Sequence, residues 1–295
     1  MPDDTSTSID VASRERILRA IEGALEGRAP VVVATVVSGG EPPALAPGRK
    51  VLVGRDGASE GTLGEAAADA AVVEAARAMF TQTPRITMQT LYLDAAGHAA
   101  DRRSQAGAAD AEVMVQLFEA PARLLIVGGG HVGLSLATVA EFAGYAVTVI
   151  DDRPEFANRE RFPMAEHVIA LDAGEALDGL ALDANTYVVL VSRGHRQDEE
   201  ALRHAVGRGA AYVGMIGSQR RTATVLRHLA EEGLDPAALD AVATPIGLDI
   251  GAETPEEIAV SIMAEVILVR RGGTGARMSR SRALDAGAAL DAGDA

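Results

Sequence analysis

The stretch from residue 124 to residue 152 constrains the fold more than any other. Leu124-Leu125-Ile126-Val127 is a short apolar run; Gly128-Gly129-Gly130-His131-Val132-Gly133 follows it, and a helical pattern continues to Ala143. A second apolar run, Val147-Thr148-Val149-Ile150, ends at Asp151 and Asp152. Strand, glycine turn, helix, strand and carboxylate in that order make a nucleotide-binding βαβ unit. In such a unit Gly128 permits the tight turn, Gly130 lets backbone amides approach a pyrophosphate, and Gly133 lets the helix pack closely on the strand. The helix N-terminus adds partial positive charge, which brings His131 and Val132 into the ligand set. A carboxylate at Asp151, with Asp152 beside it, would accept from ribose hydroxyls and repel a 2′-phosphate. The competing reading is that the glycines only shape a strand–helix turn.

The chain on either side follows two patterns. From Glu119-Ala120-Pro121-Ala122 onward, short apolar strands alternate with amphipathic helices, which implies a parallel sheet covered on both faces. Residues 121–272 are therefore expected to be a doubly wound Rossmann domain, with a sixth strand at Ala241–Ala243. Residues 13–120 read as a smaller α+β domain. It has helices at Arg14–Glu26 and Ala66–Phe80, and strands at Val31–Val37, Arg49–Gly54, Met88–Asp94 and Glu112–Glu119. Residues 1–12 are expected to be flexible and residues 273–295 disordered.

Three further loops follow strands of the α/β part and are expected at the same sheet edge as the glycine turn. Ser192-Arg193-Gly194-His195 contributes Gly194 and His195, the latter either an acid/base or a histidine holding backbone carbonyls. Gly214-Met215-Ile216-Gly217-Ser218 contributes Gly217 and Ser218, with Ser218 placed to cap the next helix. Thr244-Pro245-Ile246-Gly247-Leu248-Asp249-Ile250-Gly251 contributes Gly247 and Asp249. Thr254-Pro255-Glu256-Glu257 is a capping box, so its carboxylates are structural.

Composition removes several classes of function. The formal charge of −15 repels nucleic-acid backbones and anionic membranes. With no cysteine, disulfides, thiolate metal sites and cysteine nucleophiles are excluded. The six histidines are scattered without a metal-binding spacing; His204 and His228 read as surface residues beside arginines, and no metal is expected. The polar, acidic start shows no signal peptide, and a cytoplasmic location is expected.

Taken together, the glycine turn, Val149-Ile150-Asp151-Asp152-Arg153, Tyr212-Val213-Gly214-Met215-Ile216-Gly217-Ser218 and Pro245-Ile246-Gly247-Leu248-Asp249-Ile250-Gly251 resemble the XdhC/CoxI family of xanthine dehydrogenase accessory proteins. The N-terminal half matches more loosely, through Val33-Ala34-Thr35-Val36-Val37, Pro47-Gly48-Arg49-Lys50-Val51-Leu52-Val53 and Gly61-Thr62-Leu63-Gly64. The resemblance implies a non-catalytic maturation factor that binds molybdenum cofactor (molybdopterin) and delivers it to an apo molybdenum hydroxylase. The ligand would lie between the domains at the carboxyl ends of the strands. Lys50, the chain's sole lysine, stands where the family has one and would neutralise a ligand anion. The family typically continues the Gly61–Gly64 segment into a glycine run ending in cysteine, whereas this chain reads Gly64-Glu65-Ala66-Ala67-Ala68. Its Ser-Ser-Pro-Arg stretch is here Pro42-Pro43-Ala44-Leu45. Two other readings stay open: an NAD-dependent oxidoreductase with Asp151 on the ribose and His195 as acid/base, and a regulatory partner that has lost the cofactor. A client enzyme is the expected partner, and self-association as a homodimer is compatible with the sequence.

Overall fold

A computed structural model describes residues 11–40, 45–82, 84–94, 96–100, 106–107, 110–192 and 194–278, the side chains at 11, 12, 195, 196 and 219 excepted. Residues 1–10, 42–44, 193 and 279–295, on which some of the expectations above fall, lie outside this set. Helix α1 (Val11–Leu25) starts within the stretch expected to be loose.

The first half is a six-stranded antiparallel sheet, ordered β3-β2-β1-β6-β4-β5. Its strands are β1 (Val31–Ser38), β2 (Lys50–Gly54), β3 (Ser59–Gly61), β4 (Met88–Leu93), β5 (Ala99–Ala100) and β6 (Ala111–Phe118). Side chains alternate across a strand. Val32, Ala34 and Val36 of β1 and Val113, Val115 and Leu117 of β6 therefore share one buried face with Val72, Ala76 and Met79 of α2 (Ala66–Thr81). The opposite face of β1 and β6 meets α1. Asp56 and Gly57 turn β2 into β3, as their sequence predicts, with the Gly54 N–H donating to the Ala58 carbonyl. The small strands β3 and β5 carry no apolar alternation, so the sequence pattern does not predict them.

The second half is a five-stranded parallel sheet, ordered β11-β10-β7-β8-β9. It comprises β7 (Arg123–Val127), β8 (Ala146–Ile150), β9 (His167–Ile169), β10 (Thr186–Leu190) and β11 (Tyr212–Met215). One face packs on α3 (His131–Phe142) and α8 (Pro255–Arg271), through Leu136, Ala137, Ile262 and Val266 against Leu124, Ile126, Val147 and Val189. The other face packs on α4 (Ala173–Asp178), α5 (His195–Ala205) and α6 (Gln219–Glu231), through Leu177, Leu202 and Leu229 against Leu125, Val188 and Leu190. A short helix, α7 (Pro236–Asp240), precedes Ala243. This is the expected doubly wound α/β architecture, preceded by a smaller α+β part.

Three expectations are corrected. The sixth strand reduces to a single bridge between Ala243 and Gly214, because Pro245 follows almost at once and has no N–H to extend a ladder. His195 is the first residue of helix α5 rather than part of a loop. The Gly194 carbonyl already accepts from the N–H groups of Gln197 and Asp198, and the polar first turn hides the helical period. The third correction concerns where the halves meet. The Arg85 N–H donates to the Arg270 carbonyl at 2.7 Å, and the Asn185 amide donates to the Ala120 carbonyl at 3.0 Å. Both contacts lie at the amino ends of β7 and β10. The glycine turn lies at their carboxyl ends, so the junction and the turn occupy opposite edges of the parallel sheet.

Candidate functional site

The parallel sheet changes winding direction between β7 and β10, and the glycine turn sits at the carboxyl end of β7 there, the usual ligand position in such sheets. A shallow cleft opens at that point, lined by Gly128, Asp151, Asp152, Asp172, Ser192 and Gln197 among others.

Most of the glycines of the turn are required by the protein's own packing. Gly128 has φ +121°, which disfavours any side chain, and a Cβ there would lie 2.7 Å from the Val191 carbonyl oxygen. A Cβ on Gly129 would overlap the Phe156 carbonyl, and one on Gly133 the Gly128 carbonyl. Gly130 is different. Its φ of −68° and ψ of −165° suit ordinary residues, and a Cβ there meets nothing within 4 Å. Gly130 is also the N-cap of α3 and supplies no side-chain cap. The first intrahelical bond runs from the Leu134 N–H to the Gly130 carbonyl, which leaves the N–H groups of His131, Val132 and Gly133 without backbone partners. Open space thus faces uncapped donors at a helix N-terminus, an arrangement suited to an anion. His131 is exposed and Val132 half-buried at that mouth.

Asp151, just past β8, is committed inside the protein. One carboxylate oxygen accepts from the Gly129 N–H at 2.8 Å, and both accept from the Arg153 guanidinium at 2.8 and 2.9 Å. Its side chain is only 4% exposed. Burial pushes this carboxyl's pKa up, but the hydrogen bonds from Arg153 and Gly129 outweigh it and hold the pKa below the ordinary value. The expected ribose contact thus has no free oxygen at Asp151. Asp152 also lines the cleft; it is 44% exposed and accepts from the Gln197 amide at 3.0 Å.

Sequence reasoning missed the segment that covers the turn. After Asp152 the chain folds back, so that the Arg161 guanidinium donates to the Gly129 carbonyl at 2.9 Å. Arg153 stacks 3.9 Å from the centre of the Phe156 ring. One Arg161 nitrogen, Nη2, is buried with no hydrogen-bond partner among the described residues. The sequence signal was the pair Arg153 and Arg161 within one short polar segment, which has no helical or strand period.

The remaining expected residues divide. Gly194 caps α5 beside the cleft; its N–H donates to the Ser192 hydroxyl at 3.3 Å, and that hydroxyl donates to Asp198 at 2.6 Å. The His195 side chain lies outside the described residues. Gly217 and Ser218 follow β11, one strand beyond β10. Ser218 stands at the N-cap of α6 but makes no side-chain cap bond, contrary to expectation. Gly247 is anchored to α8, its N–H donating to Glu265 at 2.7 Å, and the Tyr212 hydroxyl donates to the same carboxylate. Burial and that carboxylate raise the Tyr212 pKa. Asp249 is exposed. Lys50 belongs to the small half. It opens β2, about 13 Å of strand from Gly54, and the segment beyond Gly54 borders the junction on the far edge of the parallel sheet. Its ammonium donates to the Thr35 hydroxyl at 2.7 Å, and burial and the nearby Arg14 lower its pKa. Among the described residues, one group of possible metal-binding side chains comes together: Glu199, His228 and Glu232. Arg203 pairs with both carboxylates there, at 3.1 and 2.8 Å, and supplies their counter-charge.

The chain matches the XdhC Rossmann domain over residues 124–266 and the XdhC and CoxI family over residues 24–91. The chain belongs to the XdhC and CoxI family. The glycine turn and the covering segment with Arg153 and Arg161 both fall inside the XdhC Rossmann match. YqeB of Escherichia coli (strain K12), described as uncharacterized, is 30% identical over 236 residues, covering 78% of this chain and 42% of YqeB. A probable xanthine dehydrogenase subunit of Bacillus subtilis (strain 168) is 31% identical over 159 residues, covering 54% of this chain and 46% of the relative. The chain thus spans less than half the length of these curated relatives. A crystal structure of a xanthine dehydrogenase from Bacillus halodurans shares the fold, with a TM-score of 0.51 at 18% identity over 90% of this chain and 97% of that one. No helix among the described residues is long and apolar enough to cross a membrane.

Proposed function

We propose that this XdhC/CoxI-family chain is an accessory factor for a xanthine dehydrogenase-type molybdenum hydroxylase, and that it binds molybdenum cofactor and helps insert it. The observation that carries the reading is Gly130. Nothing in the protein's own packing requires a glycine there, and the open space beside it faces three uncapped N–H groups. A side chain would fill the place that an incoming phosphate needs.

The residues present fit the anionic end of the cofactor. The His131, Val132 and Gly133 amides would hold a phosphate, and Asp152 with Gln197 would accept and donate to the hydroxyls of a dinucleotide form. Asp151, Arg153 and Arg161 keep the turn in shape without touching the ligand. The bound cofactor supplies the oxygen-transfer chemistry of the client enzyme; this chain binds, orients and shields it. With no cysteine anywhere, the chain holds the molybdenum end without a thiolate.

A second reading rests on the same cleft. Exposed Asp152 suits the free ribose diol of NAD and disfavours a 2′-phosphate, so NAD competes with the cofactor for this assignment. Calorimetry of the purified chain against molybdenum cofactor, its cytosine dinucleotide, NAD and NADP separates the two. Binding of a molybdopterin form, together with recovery of activity when the loaded chain meets an apo hydroxylase, supports the proposal. Tight NAD binding without molybdopterin affinity overturns it, and binding of neither favours a regulatory partner.

A further inference from the structure

The junction between the halves contains a second cavity, of about 320 Å3, on the edge of the parallel sheet opposite the glycine turn. Four arginines line it, Arg28, Arg55, Arg85 and Arg123, against two carboxylates, Glu119 and Asp183. In a chain of net charge −15 such a local excess of cations is unexpected.

The carboxylates are already matched. Arg85 pairs with Glu119 and also donates to the Met79 and Phe80 carbonyls, at 3.0 and 2.9 Å. Arg123 pairs with Asp183 at 3.2 Å and donates to the Ala181 carbonyl and the Thr186 hydroxyl. That leaves Arg28 and Arg55, both from the small half. Arg55 makes no ion pair among the described residues, and the nearest carboxylate to Arg28 is the exposed Glu26, at 3.9 Å. On the Rossmann side, Asn185 donates its amide to the Ala120 carbonyl while its Oδ1 is buried without a partner. The lining thus holds one guanidinium without an ion pair among the described residues, Arg55, and one, Arg28, whose exposed partner Glu26 stands 3.9 Å away.

We propose that this cavity binds a phosphate-bearing small molecule, its phosphate between Arg28 and Arg55. Two guanidinium groups match the charge of a phosphate dianion and bind its oxygens through several N–H donors. Such a ligand would tie the small half to the Rossmann half, on the opposite edge from the glycine turn.

The test uses pyrophosphate as the probe and the Gly130→Val chain as the background, so that binding at the glycine turn does not contribute. Calorimetry at low ionic strength should show pyrophosphate binding to Gly130→Val. Adding Arg28→Ala and Arg55→Ala should weaken it by at least about tenfold. Both arginines are on the surface, so their removal leaves the fold intact, which circular dichroism checks. Loss of all binding in Gly130→Val alone would place the anion at the glycine turn and overturn the proposal. Equal affinity after removing both arginines would overturn it too, as would tighter binding of succinate than of pyrophosphate.

Discussion

Arg153 grips Asp151 with two hydrogen bonds, Nε to Oδ1 at 2.8 Å and Nη2 to Oδ2 at 2.9 Å, and the same carboxylate holds the Gly129 N–H. The carboxylate therefore fastens the glycine turn to the end of the neighbouring strand. Because the pKa of Asp151 is lowered in the folded chain, its contribution is fully present above the unfolded value of about 4 and is lost as pH falls through the folded value. Asp151→Asn should cost about 1–3 kcal/mol at pH 7, since it leaves buried donors poorly matched. The difference from wild type should shrink as unfolding is measured at successively lower pH below about 4. Urea titrations at pH 7 and in acid check this; a gap that does not depend on pH would count against the clamp.

Gly130 and Gly133, three positions apart, should respond unequally to alanine. A Cβ at Gly133 runs into the Gly128 carbonyl, and Gly133→Ala should destabilise by about 1–3 kcal/mol. At Gly130 the Cβ has room and the backbone angles are ordinary, so Gly130→Ala should cost no more than about 1 kcal/mol, the loss expected when alanine replaces glycine at an N-cap. Thermal unfolding of both variants distinguishes them. Similar losses at the two positions would mean that Gly130 is a packing residue after all.

Arg161 reaches the turn from the covering segment, through its bond to the Gly129 carbonyl. Arg161→Met keeps much of the buried stem and removes that bond. It should cost about 1–2 kcal/mol, in the range for a charge-assisted hydrogen bond, and speed amide hydrogen exchange at residues 129–131. Unchanged exchange there would separate the segment from the turn.

His204 lies between Asp178 and Glu200, at 2.9 and 3.1 Å. The hydrogen bond to Asp178 raises its pKa, with burial opposing and Glu200 adding to the rise. A raised folded pKa stabilises fully below the unfolded value of about 6.5, and the effect disappears as pH rises through the folded value. His204→Gln should therefore lose up to about 1 kcal/mol at pH 5.5 and almost nothing at pH 9. A loss of equal size at both pH values would show that packing, and not charge, is what His204 contributes.

The sequence exposed those parts of the fold that rest on short-range pattern. The βαβ unit at 124–151, the capping box at Thr254 with Glu257 and the turn at Asp56-Gly57 each follow from local chemistry, and each is present. What lay hidden depends on distant chain segments. The hold of Arg161 on Gly129 joins residues 32 apart across a stretch without periodicity. The internal capture of Asp151 needs Arg153 to fold back on it, which spacing alone does not show. The position of the junction rests on Arg85 meeting the end of α8 at Arg270, a contact between the two halves that neither half's pattern contains. Lys50 is singled out by its neighbours in sequence, but its bond to the Thr35 hydroxyl joins residues 15 apart on neighbouring strands and is not visible in that pattern.

On the proposed function, the open mouth at Gly130 receives the phosphate end of molybdenum cofactor. Calorimetric titration of the cofactor into wild type and Gly130→Val, with the melting temperature of both recorded, tests it most directly. Wild type should bind, and the variant should lose at least about a hundredfold in affinity, roughly 2.7 kcal/mol, with little change in melting temperature. Equal affinity in the two chains would contradict it.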